Sequence, residues 1–259
     1  MIPFRFFPLF VLSLCAGLLL PPAASARTAR AAGKAAEPPA EAAPEKAAAS
    51  GAMEVPAFRL PAGNARFENI PFVVYDTETT GFSPVNDRIL EIGAIKIVGG
   101  VEIDRATWLI NPERYIPYFV QEVHHITYDM VKDCPTFAQV YPEFAAFVGS
   151  SVLIAHNARF DNRFMSAEIA RAGLPVMRNA VIDSLTLFRR WHPELESHTV
   201  SALIDYYGLD SSQGNLHRAT DDSFFVYKAI AAELARQSDE PRFRDLTRIA
   251  PPMYFADAQ

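Results

Sequence analysis

The chain is poor in cysteine and has no excess of positive charge. Cys15 and Cys134 are its only cysteines in 259 residues, so a cysteine-based zinc cluster is excluded and a disulfide scaffold is not expected. The formal net charge is −6, from 24 Lys and Arg against 30 Asp and Glu, which excludes a broadly basic nucleic-acid coat protein. A nucleic-acid enzyme whose carboxylates hold metal ions stays possible, because bound Mg²⁺ inverts the local charge.

The first 26 residues contain an apolar run that is too short to span a bilayer. Residues 6–20 are apolar throughout, whereas a spanning helix needs about 20 such residues. One positive charge precedes the run, and Ala24-Ser25-Ala26 follows it as an A-x-A cleavage site. This pattern predicts a signal peptide or membrane-targeting segment over residues 1–26, with a core helix segment as the alternative.

Large apolar side chains are almost absent from residues 27–55, in which Ala, Pro, Glu and Lys dominate. Such a segment cannot offset its ordering entropy, so we predict a disordered linker.

Met53 is also a plausible start of translation. The protein is therefore exported or membrane-anchored if residues 1–26 are translated, and cytoplasmic if translation begins at Met53. Residues 1–55 hold five basic and four acidic side chains, which leaves a net charge of −7 on the remainder.

The rest of the chain alternates between short β-rich runs and helical patterns. Predicted strands cover residues 72–76, 88–98, 101–110, 152–155 and 180–182, and predicted helices cover residues 137–148, 158–172, 184–190, 198–207 and 219–235. Gly99-Gly100 predicts a hairpin turn, and Pro142 predicts a break or kink. We therefore expect one α/β domain over residues 56–240. Its mixed five-stranded sheet is an antiparallel meander followed by parallel strands, flanked by helices. Residues 241–259 are expected to form a loose C-terminal tail.

Acidic residues lie where these predicted elements meet. Asp76 and Glu78 close the first strand and, being two residues apart, point to one face. Two neighbouring acids repel unless a cation separates them, so the pair indicates a hard-metal site, with a solvated strand end as the alternative. Asp161 falls in a first helical turn, where the helix dipole also favours an acid. His217 and Asp222 lie one turn apart at the start of the last helix.

Together these four acids favour a site for two divalent ions. Mg²⁺ or Mn²⁺ ions about 3.5–4 Å apart would activate a water and stabilise the leaving oxygen in phosphodiester cleavage. His217, with a pKa near neutral, would then take the proton from the attacking water.

Three motifs carry a resemblance to a known family. They are Asp76-Thr77-Glu78-Thr79-Thr80-Gly81, the run from His156 to Asp161, and His217 with Asp222. In this order they resemble the motifs of the DEDDh 3′–5′ exonucleases, which include the epsilon proofreading subunit of bacterial DNA polymerase III. The resemblance implies a ribonuclease-H-like fold and two-metal release of mononucleotides from a 3′ end. It implies Asp76, Glu78, Asp161 and Asp222 as metal ligands and His217 as the general base.

The same resemblance implies residues that contact the substrate. They are Thr79, Gly81, Phe82, His124, Asn157 and Phe160. Core packing is the alternative for Phe82, and a surface position is the alternative for His124. The run Val123–Thr127 resembles the family's H-G-I-T element, but His125 stands where Gly is usual.

Other polar residues are given lesser roles. Asp183 is interpreted as a helix cap, and Glu91 as a surface-facing strand residue or, alternatively, a support of the site. Five arginines are interpreted either as phosphate contacts or as exposed helix residues. These are Arg159, Arg163, Arg189, Arg190 and Arg218.

The sequence thus predicts a metal-dependent 3′–5′ exonuclease that acts on single-stranded DNA ends. One alternative is an exoribonuclease or oligonucleotide-degrading enzyme of the same family. Another is a non-catalytic nucleic-acid-binding module. RNA ends are a possible substrate, and the short tail gives no support for a DNA polymerase partner. Beyond the N-terminal segment, no stable membrane domain is expected.

Overall fold

The central sheet has five strands, described in a computed structural model that covers residues 53–214 and 218–255. The strands are β1 (Phe72–Thr79), β2 (Ile89–Val98), β3 (Val101–Leu109), β4 (Val152–Ala155) and β5 (Val181–Asp183). Their order across the sheet is β3-β2-β1-β4-β5. Strands β1 to β3 form an antiparallel meander, whereas β4 runs parallel to β1 and β5 runs parallel to β4. The predicted mixed α/β sheet is confirmed.

Helices cover both faces of this sheet. They are α1 (Tyr118–His124), α2 (Tyr128–Val131), α3 (Phe137–Val148), α4 (Ala158–Ala172), α5 (Ser184–Trp191), α6 (Val200–Tyr207), α7 (Ala219–Gln237) and α8 (Phe243–Thr247). Val73 and Tyr75 of β1 pack into a core with α3 and α4. Phe72 and Val74 pack into a second core with α5 to α8. Alternate residues of β1 therefore enter different cores, which explains why both sides of this strand are apolar.

Two local predictions have different outcomes. Gly99 and Gly100 join β2 to β3 with φ of 61° and 75°, the left-handed region that the predicted hairpin turn uses. Helix α3 runs through Pro142, so the predicted break is wrong, and the alternative of a kink stays a prediction. Tyr141 and Phe144, on either side of the proline, are fully buried, and their packing holds the helix together despite the missing backbone donor.

The residues after Pro241 are packed against the domain. They include α8, and Met253 forms an antiparallel bridge to Val181 at the edge of β5. Phe243 and Phe255 are buried, one in each core. The predicted loose tail is therefore wrong for residues 241–255, because its apolar side chains complete both cores.

Several predictions concern residues that the structure does not describe. The targeting segment over residues 1–26 and the linker up to residue 52 lie outside the described residues, as does His217. In residues 53–214 and 218–255, no helix is long and apolar enough to cross a membrane.

Helix α7 begins directly against Gly93 of β2. A Cβ atom on Gly93 would overlap the backbone of Ala219 and Thr220, the first two residues of the helix. The Thr220 hydroxyl also shares a short hydrogen bond with the Thr107 hydroxyl of β3. The glycine therefore sets how closely the start of α7 approaches the sheet.

We predict that Gly93→Ala lowers the free energy of unfolding by about 2 kcal/mol, because overpacking a filled contact typically costs 1–3 kcal/mol. Gly63→Ala is the matched control, since a Cβ there meets only the Cβ of Arg244, at 3.5 Å. Urea denaturation of both variants measures the difference. Equal stabilities would contradict the close approach of α7 to β2.

Candidate active site

Two carboxylates lie at the end of β1. Asp76 and Glu78 are two residues apart, are partly exposed, and share the side of the strand that faces α7. Across the strand pair, Asp76 is opposite Gly93 and Glu78 is opposite Glu91. The register of the pair shifts directly after Glu78. Such irregularities re-aim side chains at the rim of a sheet.

Asp161 reaches the same strand end from α4. It lies in the first turn of this helix, which follows a turn in which Asn157 has a φ of 63°. The Asp161 side chain is 2% exposed, and it accepts a hydrogen bond from Thr77 Oγ1 at 2.7 Å. Thr77 therefore ties the start of α4 to β1 between Asp76 and Glu78.

Asp222 joins these acids from α7. It lies in the first turn of α7, which packs on β1 and β2. Its charge raises the pKa of both Asp76 and Glu78. Such an effect requires proximity, so the fold brings the acids of three separate sequence motifs together.

The crowding of these acids alters their pKa values. Burial, followed by the charges of Asp161, Glu78 and Asp222, raises the pKa of Asp76 well above its usual range. Burial and the neighbouring acids raise the pKa of Glu78 to about 8. Burial raises the pKa of Asp161 to about 7, although the hydrogen bond from Thr77 opposes this shift. A bound cation would offset the repulsion among these carboxylates and favour their ionised forms.

A group of carboxylate oxygens is the donor set that hard divalent cations prefer. The residues therefore fit such ions chemically. Within residues 53–214 and 218–255, no three Asp, Glu, His or Cys side chains converge at metal-ligating distance. Metal binding is therefore inferred from shared burial and mutual repulsion, and the ligand set stays a prediction.

Glu91 adds a fifth acid to the group. It is fully buried on β2, so the expected surface-facing position is wrong. Its Oε1 accepts a hydrogen bond from Nη2 of Arg218 at 2.7 Å. The charge of Glu91 raises the pKa of Glu78 and that of Arg218 lowers it. Sequence reasoning allowed Arg218 a phosphate contact or an exposed helix position, and missed this pairing.

His217 is the residue directly before Arg218. It lies outside the described residues, so its role as general base stays a prediction.

Phe82 projects into solvent a few residues after the acids of β1. Its side chain is 75% exposed and stacks on that of Phe119, with ring centroids 6.0 Å apart and planes at 27°. The alternative of core packing for Phe82 is therefore wrong. Sequence reasoning missed Phe119, which is 55% exposed. Phe119 lies in the short helix α1, whose buried residues are Val120 and His124. An aromatic residue outside those buried positions was the sequence feature that could have indicated it.

Thr79 and Gly81 shape the loop that carries Phe82. Thr79 is buried and donates its hydroxyl hydrogen to the carbonyl of Gly81 at 2.6 Å. A Cβ on Gly81 would overlap the carboxylate of Asp87, which also accepts the backbone N–H of Ser83 at 2.9 Å. The loop is therefore folded tightly on itself.

His124 is buried at the end of α1, so the alternative of a surface position is wrong. Its Nδ1 accepts the backbone N–H of Ile126 at 3.0 Å, which places the proton of the neutral ring on Nε2. Burial, followed by the neighbouring His125, lowers the pKa of His124 to about 4, and its buried Nε2 has no hydrogen-bond partner among the described residues. The next residue, His125, has a φ of 59°, so it adopts the conformation that glycine favours at this turn.

The two predicted contacts at α4 flank its start. Asn157 is exposed, and the half-buried ring of Phe160 packs on Phe164 with centroids 4.8 Å apart. Asp183 caps α5 by accepting the backbone N–H of Leu185, as predicted. It also accepts the backbone N–H of Ala158 at 3.1 Å, and so supports the first turn of α4.

Residues 73–230, more than half of the chain, match the exonuclease family of the RNase T type. An epsilon subunit of DNA polymerase III from Treponema pallidum is 36% identical over 175 residues, which cover 67% of this chain and 80% of that protein. The chain belongs to the exonuclease family. The predicted resemblance is confirmed, and so is the predicted enzyme class, a 3′–5′ exonuclease, at the level of the domain.

The chain also matches a short part of a much longer protein. A PolC-type DNA polymerase III from Clostridium perfringens is 37% identical over 175 residues, which cover 68% of this chain and 12% of that protein. Exonuclease X in complex with 5′-overhanging duplex DNA has a TM-score of 0.55 and 28% identity, covering 68% of this chain and 99% of that one. Zinc-bound Escherichia coli exonuclease I with single-stranded DNA has a TM-score of 0.59 and 20% identity, covering 65% and 41%. These structures confirm the ribonuclease-H-like exonuclease fold.

We expect the metal-free protein to gain stability as the pH falls from about 9 to about 6. The pKa values of Glu78 and Asp161 are raised to about 8 and about 7, from usual values of 4.5 and 3.8. The folded state therefore holds protons that the unfolded state has released, and stability is lost as the pH rises through the raised values. Thermal denaturation in EDTA measures this profile.

Glu78→Gln should flatten this profile and raise the melting temperature at the alkaline end. Asp104→Asn, on the exposed edge strand β3, should leave the profile as in the wild type. A melting temperature that falls on acidification over the same range would contradict the expectation.

Proposed function

We propose that the protein is a metal-dependent 3′–5′ exonuclease that hydrolyses single-stranded DNA ends to mononucleotides. The observation that carries this proposal is the position of Asp161 and Asp222 beside Asp76 and Glu78 at the end of β1, where the charges of Asp161 and Asp222 raise the pKa of both β1 acids. Family membership supports the reaction class. The relatives are named as DNA polymerase components and DNA-bound exonucleases, which favours DNA over RNA.

We infer that these four acids hold two divalent ions, Mg²⁺ or Mn²⁺. When bound, such ions would activate a water and stabilise the leaving oxygen of phosphodiester cleavage. Their charge would also offset the repulsion that raises the pKa of Asp76 and Glu78.

The protein's own groups position the acids and move the proton. Thr77 holds Asp161 through its 2.7 Å hydrogen bond, which fixes that carboxylate between α4 and β1. His217 is assigned as the general base that takes the proton from the attacking water. Its neutral form is required for this step, so activity should rise with pH through its pKa.

The exposed aromatic pair is assigned to the substrate. Phe82 and Phe119 present ring faces to solvent, and an unpaired base stacks on such a face without regard to sequence. The loop of Thr79 and Gly81 would approach the terminal nucleotide with its backbone. Asn157, Phe160 and His124 would also contact this nucleotide. This arrangement favours single strands, because the bases of a duplex already stack on one another.

Two alternatives involve other functions. An exoribonuclease would use the same acids, and relative rates on DNA and RNA strands of one sequence distinguish it. A non-catalytic nucleic-acid-binding module would not need all four acids. Like charges placed close together lower the stability of the fold unless a cation offsets them, so their presence favours a metal-dependent enzyme.

Location is a separate proposal. We propose that residues 1–26 direct export or membrane anchoring, on the strength of the apolar run and the A-x-A sequence. Translation from Met53 would instead give a cytoplasmic protein. N-terminal sequencing of the native protein separates these outcomes.

We predict that Asp76→Asn slows release of the 3′-terminal nucleotide roughly a thousandfold, equivalent to about 4 kcal/mol, because it removes a metal ligand. Release from 3′-labelled single-stranded DNA with Mg²⁺ or Mn²⁺ measures this rate, and Asp104→Asn is the control. An inactive wild type, or an Asp76→Asn variant as active as the wild type, would contradict the proposal.

His217→Ala should lower kcat far more than it lowers DNA affinity, since the role of His217 is proton transfer. The same nucleotide-release measurement tests this variant.

We also predict that Phe82→Ala and Phe119→Ala each raise KM for single-stranded DNA by about 5–150-fold, because stacking on an aromatic ring is worth about 1–3 kcal/mol per base. The kcat should change much less. Phe82→Tyr keeps a ring and should stay near the wild type. Val101→Ala, at the exposed hairpin between β2 and β3, is the control for loss of apolar surface. An unchanged KM in both alanine variants would rule out the stacking role.

A further inference from the structure

We propose that the ion pair between Glu91 and Arg218 positions Asp222 against the acids of β1, and thereby sets the affinity of this acid group for divalent ions. This inference rests on the proposed function. It assigns positioning roles to two residues that are not themselves ligands.

The pair is anchored in the interior of the domain. Glu91 is fully buried on β2, and its Oε1 lies 2.7 Å from Nη2 of Arg218, whose side chain is 41% exposed. Oε2 of Glu91 and Nε of Arg218 are also buried, and neither has a hydrogen-bond partner among the described residues. Loss of one partner would therefore leave several buried polar atoms unpaired.

The backbone connects Arg218 to Asp222. Arg218 is the N-cap residue of α7, and its carbonyl oxygen accepts the N–H of Asp222 at 3.0 Å and that of Asp221 at 2.9 Å. A shift of Arg218 therefore moves the carbonyl to which the first turn of α7 is bonded. Because the Asp222 side chain projects from that turn, its carboxylate moves as well.

Glu91 anchors this turn beside the other acids. It is the cross-strand partner of Glu78, one of the predicted ligands on β1. Gly93, two residues further along β2, receives the backbone of Ala219 and Thr220. The close approach at Gly93 sets the depth of α7, and the ion pair fixes the end of the helix that carries Asp222.

The positioning role and a simple charge role predict opposite results for Arg218. If Arg218 only offset negative charge, its removal would make the acid group more negative and tighten the binding of a divalent cation. If Arg218 positions Asp222, its removal weakens that binding. Arg218→Lys keeps the charge but loses the planar guanidinium, so only the positioning role predicts a change in this variant.

The experiment measures Mn²⁺ binding by isothermal titration calorimetry on the full chain without nucleic acid. We expect Arg218→Met and Glu91→Gln to weaken Mn²⁺ binding about tenfold or more, and Arg218→Lys to have an intermediate effect. Arg105→Met is the matched control, because Arg105 contacts Asp221 of the same turn at 3.6 Å from an exposed position. It should leave the affinity within about twofold of the wild type.

Activity supplies an independent readout. The Arg218 variants should lose kcat at low Mn²⁺, regain part of it at high Mn²⁺, and keep the KM for DNA. If Arg218→Met does not fold, Arg218→Lys decides the question. Unchanged or tighter Mn²⁺ binding in the folded Arg218 variants would overturn the positioning role alone. A wild type that neither binds Mn²⁺ nor releases nucleotides would instead overturn the proposed function.

Discussion

Repulsion among the carboxylates at the end of β1 is the constraint on which the rest of the site depends. Asp76 and Glu78 share one side of the strand, and Asp161 and Asp222 approach them from α4 and α7. Burial and neighbouring charges raise the pKa of Asp76 and Glu78, and burial raises that of Asp161. The charge of Asp222 contributes to the shifts of Asp76 and Glu78. The arrangement opposes the stability of the metal-free fold, and it becomes favourable when cations offset the charge.

The fold enforces this crowding through a few close contacts. Gly93 admits the backbone of α7, and Thr77 bonds Asp161 across the start of α4. Asn157 adopts a left-handed conformation so that α4 begins directly after β4. The two apolar cores stabilise the sheet from both faces, and their packing holds the acids in place despite the repulsion.

The sequence predicted the features that depend on local pattern. Short stretches of sequence are enough to predict the apolar strands, the hairpin at Gly99-Gly100 and the acids at the ends of strands and helices. Features that depend on distant partners were not. Glu91 lies in an apolar strand, and its burial depends on Arg218, 127 residues later. The exposure of Phe119 and the packing of residues 241–255 likewise follow from tertiary contacts that periodicity does not show.

We propose that the four acids form one divalent-ion site that acts on a 3′ end. Electron paramagnetic resonance of Mn²⁺ bound to the full chain, with a terminal mononucleotide present, tests it most directly. We expect two Mn²⁺ ions per chain with mutual magnetic coupling, and loss of that coupling in Asp161→Asn. A wild type that binds no Mn²⁺, or coupling that survives in Asp161→Asn, would contradict it.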